Sequence, residues 1–542
     1  MRKLFVLCSM LLLLSACQKE DNPMPPPQPE TGTEAVLKFF KEINAVPRPS
    51  KHEDKIRDYL SAFAAERNLC CINDNGNIII YKDATAGMED APSVCLQSHM
   101  DMVCVAAEGY EIDFLTQGIE QEVDGDVIHS KGYKTSLGAD DGIGVATVLA
   151  LLDNKTIAHG PLECLFTWDE ETGFGGAIAL TPGIIKSPYL FNIDWEQGGE
   201  MCIGTSGGLC VDITLNTSPQ VAPSTYVAYQ LEVNRLTGGH SGVDITEGHA
   251  NAIVLLARFL SEQDHVLLAD YTGGKAANAI AANVSATVLV PQADKEAFEN
   301  AYNTYMAEMK KHHSTKDPDM YYGIQPLDRP ATCLDVAQSK TIIEGLAKAP
   351  QDVIEWSWEV NGAFETSDNV GWVAIQDGVF TAKYLIRGFH EPNIADAAGM
   401  IETAWNVGTS GAESRRFGSF SAWSPELTTP VLIYAQAAYQ KTFDKPIVLR
   451  KIGAGLELSE FARTYPDLQC LSFGPTIHNP HSVIECVEIP SVEETWQFLI
   501  ALIQDIKNLS KSKIQNYEKN DAKGSSCHPY LRPGSIHIVY KF

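Results

Sequence analysis

Ser136-Leu137-Gly138-Ala139-Asp140-Asp141-Gly142-Ile143-Gly144 places two adjacent acids between glycines, and the apolar run Val145 to Leu152 that follows reads as a helix. A carboxylate on a Gly-rich turn at a helix start meets a cation with little steric obstruction. The surroundings give the stretch its weight. Upstream lies His99-Met100-Asp101; downstream lie Asp169-Glu170-Glu171, Asp194 and His481. These are the side-chain types of a two-metal hydrolase, and the first four groups fall at the ends of apolar runs.

Those runs predict the architecture. Val94 to Ser98 ends at His99, Leu162 to Trp168 at the acids 169–171, and Tyr189 to Ile193 at Asp194. Asn77 to Tyr81 adds a short strand after the Asp74-Asn75-Gly76 turn, and helices are expected around Ala35 to Ile43 and over Glu53 to Glu66. Alternating helices and buried-type strands predict an α/β sheet, and open α/β sheets place their sites at strand C-terminal ends. From Gly207 the pattern changes. Val211 to Leu215, Val227 to Val233, Val284 to Val290, Ile354 to Val360 and Val379 to Ile386 read as strands, with helices over Asn251 to Leu260 and Phe298 to Lys311. Leu432 to Tyr439 then looks helical, Leu468 to Phe473 extended, and Val492 to Leu509 helical. The fold class expected is α/β: a domain with a central mixed β-sheet, ligand-type residues at its strand ends, carrying an inserted α+β domain.

The expected boundaries are 1–17 signal peptide, 18–33 disordered tether, 34–206 catalytic domain first part, 207–425 inserted domain, 426–509 catalytic domain second part and 510–542 C-terminal extension, with a strand-like end at Ile536 to Tyr540. Met1-Arg2-Lys3 is basic, Leu4 to Ala16 is apolar but too short to span a bilayer, and Leu14-Ser15-Ala16-Cys17 resembles a bacterial lipobox. That resemblance implies lipid on Cys17 as the only membrane contact and a membrane-anchored lipoprotein of a bacterial cell envelope, periplasmic or cell-surface. The Pro-rich stretch Gln18 to Thr33 reads as the tether.

The chain's 542 residues carry 69 Asp and Glu against 41 Lys and Arg, which excludes nucleic acid as a partner because phosphate binding needs a cationic surface. The 13 cysteines include no CxxC pair, so neither thiolate zinc sites nor a disulfide framework is expected.

His99 and Asp101 alternate along an extended segment and share one face. His99 offers a ring nitrogen to a metal, and Asp101 is placed to orient that ring. Asp140 has two oxygens with which to bridge two cations. Glu170 and Glu171 are neighbours at a strand end and point in different directions, so one can ligate while the other acts on water. Asp194 and His481 would complete two coordination shells.

Taken together, His99-Met100-Asp101-Met102-Val103, Leu137 to Gly144, Thr167-Trp168-Asp169-Glu170-Glu171-Thr172-Gly173 and Ser472 to Ile477 with His481-Ser482 resemble the bacterial aminoacyl-histidine (Xaa-His) dipeptidases, carnosinase-like members of a larger dizinc peptidase and deacylase family. The resemblance spans roughly 34 to 510. It implies that His99 and Asp194 bind one metal, Glu171 and His481 the other, and Asp140 both. It makes Glu170 the general base and Asp101 its neighbouring positioning acid. Gly238-Gly239-His240-Ser241-Gly242 resembles the lid motif whose histidine polarises the scissile carbonyl. Asn278 resembles the lid asparagine near the substrate, and Arg387 the arginine that holds its carboxylate. The implied cofactors are two divalent ions, zinc first, with manganese or cobalt as alternatives. The implied partners are a dipeptide and a second copy joined through the lid.

The chain also departs from that family. Gly453-Ala454-Gly455-Leu456-Glu457 stands where His-Ala-Gly-Leu-Glu-Cys-Gly is usual, Leu458-Ser459 replaces Cys-Gly, Ala277 replaces an arginine and Ala281 a proline. These bear on substrate fit and predict a broad dipeptidase, which a histidine restored at 453 would sharpen. The competing readings are a tripeptidase or N-acyl amino acid deacylase, and an inactive peptide-binding lipoprotein.

Overall fold

The computed structural model describes residues 32–424 and 426–509. The expected leader 1–17, the tether up to residue 31, the boundary at 425 and the extension 510–542 lie outside the described residues. The helix Gly32–Asn44 takes in residues 32 and 33, which the sequence had assigned to the tether.

An eight-stranded mixed sheet runs in the order Cys70–Asp74, Asn77–Lys82, Leu162–Thr167, Val94–His99, Tyr189–Asn192, Gln469–Ser472, Glu200–Thr205 and Val448–Ile452. All six residues of Val94–His99 and of Leu162–Thr167 are buried, as expected for central strands covered on both faces. These two strands pair in parallel, with His99 opposite Thr167, and Gln97 stands opposite Asn192 of the next strand. That register brings their C-terminal ends, and hence His99, residues 169–171 and Asp194, to one edge. The helix Ala139–Asp153 is buried along its length except at Asp153 and packs against both the sheet and Gly32–Asn44. A helix apolar all round belongs in a core, and this one fixes the Asp140 turn at its start.

A second, antiparallel sheet of nine strands lies between residues 207 and 420. Its central order is Tyr226–Asn234, Val284–Pro291, Leu267–Gly274, Phe364–Gln376, Val379–Gly388 and Gly207–Asn216. Helices Ala252–Ser261, Val336–Lys348 and Glu391–Ala404 contribute to its own apolar core. Asn251 caps the first of these by accepting the N–H groups of Ile253 and Val254. The fold class is therefore the expected one. The strand expected at 354–360 is Asp352–Trp356. The described cysteines are free.

Phe364–Gln376 opens with the buried polar run Glu365 to Asn369, which hides it from an apolar-pattern reading. Asp368 in that run is fully buried, and burial pushes its carboxyl well above the ordinary range against the pull of the Asn369 backbone N–H. The folded chain thus keeps a proton that the unfolded chain releases, so stability falls as pH rises above the usual aspartate range, by about 1.4 kcal/mol per pH unit until the folded pKa is reached. Asp368→Asn is expected to melt above wild type at pH 8, with the gap closing toward pH 4. Parallel melting curves at both pH values would show that Asp368 does not titrate this way.

Candidate metal centre

His99 closes its strand and Asp101 follows it; both are buried, with His99 Nδ1 3.5 Å from Asp101 Oδ1. On the other side of the ring, Nε2 lies 2.8 Å from Asp140 Oδ1 and 3.5 Å from Asp194 Oδ1. The second Asp140 oxygen, Oδ2, lies 2.9 Å from His481 Nε2, which also lies 2.9 Å from Glu171 Oε2. Asp140 therefore stands between two imidazoles with one oxygen turned to each. Ligand atoms of His99, Asp140 and Glu171, and of His99, Asp141 and Asp194, converge within 4.8 Å. Asp141 belongs to the second group, but its Oδ2 accepts the His99 N–H at 3.1 Å and its Oδ1 the Gly144 N–H at 3.2 Å. Backbone donors thus occupy it, whereas Asp140 faces ring nitrogens.

Electrostatics separate these groups. Burial works against ionising Asp140, yet His481 and His99 outweigh it and hold the carboxyl below the usual range. Hydrogen bonds to Asp140 and Glu171 push His481 up to about 10. Burial, then Asp194, Glu457 and Glu171, push Glu170 well above the ordinary carboxylate, with His99 opposing. Burial also raises Asp194 to about 6. A dication among these acids would hold them ionised. Two imidazoles facing carboxylate oxygens, with the buried His99 Nδ1 and Asp101 Oδ2 otherwise unpartnered, form a donor set that fits zinc, manganese or cobalt.

The acids open into a cavity of about 850 Å³ whose wall includes Asp140, Glu170, Glu171, Asp194, His481 and, from the second sheet's side, His240. His240 Nδ1 accepts the N–H groups of Gly242 at 3.2 Å and Val243 at 3.1 Å, which assigns the proton of the neutral ring to Nε2. Burial and the nearby Arg387 lower the His240 pKa, favouring that neutral form. Arg387 is buried, with Nη2 3.3 Å from His240 Nε2. Neither Arg387 nor Asn278 is in the cavity wall: Arg387 stands behind His240, and the Asn278 carbonyl accepts the Ser241 N–H at 2.9 Å.

Two further acids escaped the sequence reading. Glu196 lines the cavity, and burial together with Asp140 and Asp194 pushes it up to about 9. Glu457 is fully buried and accepts from Gln97 Nε2 at 2.8 Å and Thr167 Oγ1 at 2.6 Å. The available signals were weak: Glu196 follows Asp194 by two residues, and Glu457 closes the Ala454-Gly455-Leu456-Glu457 run retained in a motif altered on both sides.

Gly453 answers the sequence expectation differently. A Cβ there would lie 2.1 Å from the Gly242 carbonyl oxygen, and a Cβ on Gly242 would lie 1.9 Å from the Gly453 oxygen. Two backbones meet where the end of the Val448–Ile452 strand touches the His240 segment, so a histidine at 453 does not fit this arrangement. Gly453→Ala should pry the two apart and lower kcat/KM by roughly tenfold or more, about 1.4 kcal/mol, with metal content unchanged. An unaltered kcat/KM would show that this contact does not matter for turnover.

An α/β sheet with a two-histidine, multi-carboxylate cluster at its strand ends, faced by a histidine from the second sheet's side, defines a dimetal-hydrolase scaffold. The chain belongs to peptidase family M20/M25/M40, whose model matches residues 95–505. It is 34% identical over 472 residues to the cytosol non-specific dipeptidase of Escherichia coli (strain K12), covering 86% of this chain and 96% of that one. It superposes on the crystal structure of aminoacylhistidine dipeptidase from Vibrio alginolyticus with a TM-score of 0.82 at 33% identity, covering 87% of this chain and 96% of that one. The aminopeptidase PepT of Bacillus cereus, at 16% identity and a TM-score of 0.51 over 88% of this chain and 98% of its own, shares the fold.

The first of these relatives corrects one expectation. The sequence pointed to a membrane-anchored lipoprotein of the envelope, but the relative that spans 86% of the chain is a cytosol enzyme. The anchored reading rested on the basic start, the short apolar run, the Leu14-Ser15-Ala16-Cys17 pattern and the Pro-rich stretch after it, features with no chemical link to the site. Among the described residues no helix is long and apolar enough to cross a membrane.

Proposed function

We propose that this chain is a metal-dependent dipeptidase that hydrolyses Xaa-His and other dipeptides. The observation that carries the reading is Asp140, with one oxygen toward His99 and the other toward His481, in a cavity that Glu170 and His240 share. His99 and Asp194 would hold one divalent ion, Glu171 and His481 the other, and Asp140 both; zinc is the first expectation, manganese or cobalt the alternatives. When bound, the ions polarise the scissile carbonyl and acidify water. Glu170 takes the proton of the attacking water and Asp101 fixes the His99 ring. His240 Nε2–H donates to the carbonyl oxygen, and Arg387 behind it favours a carboxylate on the leaving side. Residues 207–425 act as the lid and 34–206 with 426–509 as the metal-binding domain. His240 lines the cavity of its own chain, so a lid-to-lid homodimer, if formed, need not complete the site.

Similarity to a non-specific dipeptidase and to an aminoacylhistidine dipeptidase supports the substrate class. Gly453 presents no side chain with which to favour histidine, so Xaa-His should exceed other dipeptides by no more than about tenfold. The test is kcat/KM of the zinc-loaded protein on Ala-His, Ala-Leu, Ala-Gly, Ala-Ala-Ala and N-acetyl-histidine. Dipeptides should dominate. A clear preference for the tripeptide or the acylated substrate would replace the reading with tripeptidase or deacylase, and no hydrolysis of any of them would leave a binding protein.

A further inference from the structure

Between the strand ends and the His481 loop lie two buried charges to which the chemistry above gives no role. Glu485 is 1% exposed and Arg48 2%. The Glu485 carboxylate meets four consecutive backbone N–H groups. Oε2 accepts from Leu137 at 2.7 Å and Gly138 at 3.0 Å; Oε1 accepts from Ala139 at 2.7 Å and Asp140 at 3.4 Å. Those residues are the turn that presents Asp140. Glu485 itself follows His481 by four residues in a loop closed by its own N–H on the Ser482 carbonyl at 3.2 Å. One side chain thus ties the His481 loop to the Asp140 turn.

Arg48 holds the opposite side of the same turn. Its Nη2 donates to the Gly138 carbonyl at 2.5 Å, and its Nη1 to the Asp101 carbonyl at 2.9 Å. Gly138 therefore gives its N–H to a buried carboxylate and its C=O to a buried guanidinium. Its φ is +72°, and a Cβ there would lie 2.5 Å from Arg48 Nη2, so the clamp requires glycine at this position.

We infer that Glu485 and Arg48 are positioning residues that lock the 99–101, 138–140 and 481 segments into one rigid frame, so that His99, Asp140 and His481 are preset for two metal ions. Charge-assisted hydrogen bonds to backbone are stronger and shorter than neutral ones, and four on one carboxylate leave the turn little freedom. Groups that hold ligands in place in this way contribute about 10- to 100-fold to metal affinity. The inference rests on the metal-dependent reading above.

The test is zinc titration of the metal-free full chain by calorimetry, paired with its melting temperature without metal. Wild type should bind two zinc ions. Glu485→Gln keeps the shape but turns an amide N–H₂ toward backbone donors; it should bind zinc 10- to 100-fold more weakly, with the metal-free melting temperature shifted by far less than the metal-bound one. Arg48→Lys, which keeps one donor and loses the fork, should weaken zinc in the same direction. Glu485→Asp, which keeps the charge but draws it back, should fall between wild type and Glu485→Gln. Wild-type zinc affinity in Glu485→Gln overturns the inference, as does weakened binding matched by an equal loss of metal-free stability. So does failure of all three variants to fold, since the pair would then serve the core in general. A single zinc ion in wild type would instead refute the two-metal assignment, and none at all the metal-dependent reading itself.

Discussion

Glu170→Ala is expected to retain two metal ions per chain while kcat falls by about 10²–10⁴-fold, the usual contribution of a positioned general base. The argument is geometric. Glu170 and Glu171 begin one short helical turn after the Leu162–Thr167 strand, entered through Asp169 in the left-handed region at φ 53°. Glu171 reaches His481 at 2.9 Å and so belongs to the ligand cluster. Glu170 lines the cavity while its backbone N–H donates to Asp101 Oδ1 at 3.1 Å, which anchors the residue and leaves the carboxylate for substrate water. Its surroundings suit a base. Burial and the acids Asp194, Glu457 and Glu171 raise its proton affinity, and two cations beside it would keep it ionised at neutral pH. Metal analysis decides between the two glutamates. If Glu170→Ala holds one ion per chain and Glu171→Ala holds two, their roles are exchanged.

The sequence shows the central strands of the eight-stranded sheet, though not Cys70–Asp74, Glu200–Thr205 or Val448–Ile452, because strands buried on both faces read as unbroken apolar runs ending in polar residues. His99, Glu170, Glu171 and Asp194 could be located for that reason alone. What it hid is tertiary. Ala412–Phe420 is an exposed edge strand carrying Arg415 and Arg416, with no apolar face to betray it. The buried charges Glu485, Arg48 and Glu457 look in sequence like ordinary surface residues, because their partners are backbone atoms or side chains far along the chain. The contact between Gly242 and Gly453 likewise joins positions that no local pattern connects, and it shows why a glycine first read as a lost histidine does not accept that histidine back. The envelope location failed for the opposite reason: it was read from the N-terminal segment alone, and that segment carries no residue of the site.

His240→Ala is expected to lower kcat by about 10²–10³-fold, as removing one preorganised donor to a developing oxyanion does, with two ions still bound and KM little changed. The ring is held for this task on every side. Its backbone N–H donates to Asp244 Oδ2 at 2.7 Å, and a β-bridge to Ala279 fixes the segment. The Gly242 and Val243 N–H groups occupy Nδ1, so Nε2 carries the hydrogen. Arg387 Nη2 lies 3.3 Å from that nitrogen, and burial lowers the guanidinium only to about 10, so it stays charged near neutral pH. Two donors that close together share no proton acceptor of their own; His240 faces the cavity, and Arg387 acts from behind it through its charge. Arg387→Ala should therefore separate from His240→Ala in its kinetics. Losing the cation that favours the substrate carboxylate raises KM more than it lowers kcat, because that interaction is made equally in the ground and transition states. His240 acts where charge develops, so its loss falls on kcat. A His240→Ala enzyme with wild-type kcat would remove His240 from the mechanism. A defect confined to KM would make it a group that holds substrate without acting on the developing charge.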